Sequence, residues 1–106
     1  MNDCIKVYAT TKAKEESEKM AGALVEKQLA ACVQVSGPIT STYRWEGEVE
    51  KEQEWLCTIK TKRSLWGKVE EAIKALHPYD VPQIMVLPVV AGSSEYLGWI
   101  GGQLLK

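Results

Sequence analysis

The stretch that decides the fold is Ile39-Thr40-Ser41-Thr42-Tyr43-Arg44-Trp45-Glu46-Gly47-Glu48-Val49, with the extended run to Lys62 behind it. Alternation with β-branched and aromatic residues over 39–45 predicts a strand. Glu46-Gly47 supplies a tight reversal, because Gly readily adopts the positive φ such turns need. A second long strand follows over 48–62, with Val49, Trp55, Cys57 and Ile59 on one face and Glu50, Glu52 and Glu54 on the other. The series Glu46, Glu48, Glu50, Glu52 and Glu54 reads as a solvated strand face. Paired acid/base carboxylates would need a cleft, which the spacing does not supply.

Outward from this hairpin the pattern is regular. Ile5, Val7 and Ala9 alternate with Lys6 and Tyr8 and predict a first strand. Met20, Ala21, Leu24, Val25 and Leu29 recur at helical spacing, with Thr10 and Thr11 as N-cap candidates. Cys32 to Val35 is extended, and Gly37-Pro38 marks a bend. Ser64 is placed to cap a helix carrying Leu65, Trp66, Val69, Ala72, Ile73 and Leu76, which His77-Pro78 stops. Ile84-Met85-Val86-Leu87 reads as a buried strand, with Pro88 signalling an edge or bulge. Ser93 or Ser94 then caps a last helix carrying Leu97, Ile100 and Leu104.

This order predicts an α+β fold: one domain over 1–106, a ferredoxin-like βαββαβ sandwich with an extra C-terminal helix and a long hairpin between the second and third strands. Another α+β arrangement of the same elements is the rival. At about 3.3 Å per residue, the strand over 48–62 spans roughly 50 Å. A compact domain of this length has a diameter of about 34 Å. The hairpin should overhang, and an overhanging ribbon is marginal alone. Pairing with further copies in a closed ring is the expected remedy. The alternative is a ribbon bent back at Gly37-Pro38.

Composition narrows the function classes. The 106 residues carry 25% charged and 45% hydrophobic side chains at net charge -1. That is an ordinary globular balance without a nucleic-acid footprint. No apolar run approaches the roughly 20 residues of a membrane span, and the first residues do not read as a signal peptide. Three cysteines, Cys4, Cys32 and Cys57, match no zinc or redox spacing and predict free thiols in the cytoplasm.

Four residues are candidates for chemistry. His77 is the sole histidine. It is a metal-ligand candidate beside the reading that it merely ends a helix and complements its dipole. A single-chain site with one imidazole would be poor, whereas a site shared between subunits could work. Cys32 and Cys57 read first as small buried hydrophobes. Cys32 with His77 is the one conceivable nucleophile–base pair. Lys60, between Ile59 and Thr61, is either solvated or a half-buried anion ligand. The glycine-free turn Ala9-Thr10-Thr11-Lys12 holds no phosphate cradle, which argues against an acylphosphatase-type enzyme. Trp55 alone on the central strands argues against RNA recognition.

Five segments together resemble the divalent-cation tolerance family, CutA. They are Leu29-Ala30-Ala31-Cys32-Val33, then 39–47 with its Trp45-Glu46-Gly47, then Ile59-Lys60-Thr61, His77-Pro78-Tyr79-Asp80-Val81-Pro82 and Tyr96-Leu97-Gly98-Trp99-Ile100. The resemblance runs in order over about residues 5–100. It implies a ferredoxin-like homotrimer in which the long hairpins pair between subunits. It also implies a cytoplasmic, non-enzymatic role in divalent-metal tolerance, copper in particular, with no required cofactor and weak binding of copper or zinc. Among metal ligands it carries over His77 alone, since the cysteine and histidine of copper-binding members fall at Ala9 and Leu76. Its intersubunit cleft maps to Cys32, Trp45, Lys60, His77 and Tyr79. The family also resembles PII signalling proteins, which implies a second reading. In that reading the protein is a PII-like sensor or scaffold module taking a small anionic metabolite through Lys60 and cleft aromatics. Neither reading involves nucleic acid or a membrane.

Overall fold

The structure is a computed structural model that describes residues 2–77 and 82–106. Its elements run β1 (Cys4–Thr11), α1 (Lys14–Glu26), β2 (Cys32–Trp45), β3 (Glu48–Lys62), a 3₁₀ turn (Arg63–Leu65), α2 (Trp66–Leu76), β4 (Ile84–Pro88) and α3 (Ser94–Gln103). The four strands form one antiparallel sheet in the order β2-β3-β1-β4. This is the expected split βαβ arrangement.

Strand parity separates the two faces of the sheet. Ile5, Val7 and Ala9 of β1 and Cys57 and Ile59 of β3 are buried with Met20 and Leu24 of α1 and Val69 and Ile73 of α2. Burying each large aliphatic side chain contributes about 1.5–3 kcal/mol. Polar groups inside this layer are paired: Thr61 Oγ1 donates to the Leu29 carbonyl at 2.7 Å, and Thr11 and Ser17 share a hydroxyl hydrogen bond at 2.5 Å.

The ribbon overhangs as its length demands. β1 pairs with β3 only as far as Thr11↔Trp55, whereas β2 pairs with β3 out to Trp45↔Glu48. Residues 48–54 of β3 therefore have β2 on one side and, among the described residues, no strand on the other. The molecule measures 44 × 25 × 22 Å, so the ribbon is not folded back. At its tip Glu46 (φ 50°) and Gly47 (φ 82°) both adopt positive φ, the signature of a two-residue type I′ turn. At its root the pairing register shifts between Ser36 and Ile39, so the strand bulges at the expected bend and then continues.

Local expectations are corrected at five places. Val25 is exposed, because α1 ends at Glu26 and turns only Ser17, Met20 and Leu24 fully inward. The N-cap of helix α1 is Ala13, not a threonine. Glu16 accepts the Ala13 N–H, while Thr11 donates instead to the Ala13 carbonyl. Ser64 lies in the 3₁₀ turn, and Leu65 takes the N-cap position of α2. Strand β4 is not buried: Met85 is 53% exposed, because β4 is an edge strand paired only with β1. Glu54, expected in solvent, is buried where the ribbon leaves the sheet opposite Ile39. Ser93 does cap α3, accepting the Tyr96 N–H at 3.2 Å.

Candidate functional site

The sheet face away from α1 and α2 carries an in-register row. Cys32 pairs with Lys60, Lys60 with Lys6, and Lys6 with Leu87, so one residue from each strand lies side by side. Helix α3 and the segment after β4 rise beside this row and form a groove of about 390 Å³. Its lining includes Lys6, Lys60 and Tyr96, with Pro88, Val89 and Leu97 supplying apolar walls. The Lys60 ammonium donates to the Tyr96 hydroxyl at 2.9 Å and lies 5.1 Å from the centre of the same ring. Lys6 lies 5.6 Å from the centre of the Tyr8 ring. Tyr96 in turn stacks on Trp99, with ring centroids 5.8 Å apart.

His77 occupies a different corner. It caps α2 in an extended conformation (φ -90°, ψ 130°), the geometry a following proline imposes. It is only 8% exposed, and its Nε2 hydrogen-bonds the Thr10 carbonyl at the end of β1. A carbonyl can only accept, so Nε2 carries the proton. The Thr10 contact engages Nε2, which leaves Nδ1 as the other ring nitrogen. Among the described residues, no group of three or more His, Cys, Asp and Glu side chains lies close enough to hold a metal ion.

The structure thus brings Cys32 and Lys60 together and separates the other candidates. Thr10, against which His77 sits, lies about 13 Å along β1 from the Lys6 row. That spacing keeps Cys32 and His77 apart as a nucleophile–base pair. Trp45 stands at the ribbon tip, about 40 Å along β2 from Cys32, and is 47% exposed. Tyr79 lies outside the described residues. Cys4, Cys32 and Cys57 are all free thiols. Burial pushes the Cys57 thiol pKa up, and burial followed by the charge of Asp3 pushes up that of Cys4. Both are held in their less reactive neutral form. Sequence reasoning missed Lys6 and Tyr96. The signal for Lys6 was its parity: alternation with Ile5 and Val7 puts it on the face that the two large helices leave open.

The family described as CutA1 divalent ion tolerance protein matches residues 5–103. The divalent-cation tolerance protein CutA of Thermus thermophilus is 47% identical over 94 residues, covering 89% of this chain and 91% of that protein. The chloroplastic protein CutA of Arabidopsis thaliana is 43% identical over 91% of this chain, which spans about half (53%) of that relative's length. The solved structure of the periplasmic divalent cation tolerance protein CutA from Archaeoglobus fulgidus superimposes with a TM-score of 0.91 at 37% identity, covering 94% of this chain and 97% of that one. By sequence and by fold, this chain belongs to the CutA1 divalent ion tolerance family.

Proposed function

We propose that this protein serves divalent-cation tolerance as a homotrimer without catalysing a reaction, and that His77 gives a weakly held copper or zinc ion one imidazole nitrogen at a cleft between copies. One observation carries the tolerance role: the match to the divalent ion tolerance family over residues 5–103. The geometry bears on how that role is performed. His77 is the only imidazole, and its Nε2–H points at the Thr10 carbonyl, which orients the ring and fixes its tautomer. A backbone carbonyl on one ring nitrogen is the usual partner of a histidine that ligates through the other. The remaining ligands come, in this proposal, from a second copy of the chain or from solvent. Support for assembly comes from the ribbon, whose outer edge at residues 48–54 has no partner strand among the described residues, and from the apolar, exposed β4 edge. Three free thiols and no disulfide favour a reducing compartment, and we place the protein in the cytoplasm on that basis.

Calorimetric titration of the intact protein with copper(II) and with zinc(II), repeated on His77→Gln, tests the metal role. The expected result is affinity weaker by about tenfold or more in the variant, as for loss of a metal-site group. Equal affinities would remove His77 from the site.

A further inference from the structure

We draw no further inference here: the strongest candidate, the turn at the tip of the β2–β3 ribbon, where Glu46 holds φ 50° and its exposed carboxylate forms no ion pair among the described residues, carries nothing because nothing in the structure shows what covers it.

Discussion

At the scale of single residues, position within the fold decides what each candidate can do. Gly37 has φ 150°, and a Cβ there would lie 2.9 Å from Trp55 Cδ1 and 3.0 Å from the Glu54 carbonyl. Gly37→Ala is therefore expected to cost about 1–3 kcal/mol, read as a lower urea midpoint at unchanged slope. Cys57 makes a pH prediction. Its folded pKa is raised by burial above the ordinary 9.0, so the neutral thiol is favoured in the native state. That stability is fully present below pH 9.0 and is lost as pH rises through the folded pKa, because the unfolded chain releases the proton first. Urea midpoints between pH 8 and pH 11 should fall less steeply in Cys57→Ala than in the parent. An identical slope would remove Cys57 from the linkage. His77 shows how far sequence alone reaches. Its place before Pro78 was legible, because proline dictates the extended backbone. Its burial against Thr10 was not, since that contact joins residues distant in sequence.

At the scale of elements, periodicity reported type and order, while burial depended on neighbours that periodicity does not encode. The long β2–β3 ribbon was readable because strand length and domain size are both fixed by geometry. The apolar run 84–87 predicted a buried strand, but an edge position leaves Met85 and Val86 exposed. Pro88 was the better guide, since a residue without an N–H belongs at an edge. Lys6 and Lys60 became a pair only through the β1–β3 register, which no local pattern sets. The ribbon gives its own prediction. In an isolated chain, N–H groups of residues 48–54 that face away from β2 would exchange quickly. In an assembly that covers this edge they should be protected. Hydrogen exchange on the intact protein, compared with Val49→Asp, should show slow exchange in the parent and fast exchange in the variant.

At the scale of the whole molecule, a 44 Å body built on one sheet leaves, among the described residues, the outer edges of β2 and β4, the overhanging edge of β3 and several apolar side chains uncovered: Val49 and Trp45 on the ribbon, Met85 on β4 and Trp99 on α3. Natural sheets seldom leave such edges unprotected. Closed rotational assembly covers them without leaving an open end. In the proposal above it also supplies ligands to His77, which has no ligand cluster of its own among the described residues. Assembly and metal binding are thus one claim. Native mass spectrometry of the copper-loaded protein tests both together. The expected result is a species of three times the 11.8 kDa chain mass that retains copper, and a His77→Gln trimer that has lost it. A monomer at 11.8 kDa, or a trimer retaining copper equally with and without His77, would contradict it.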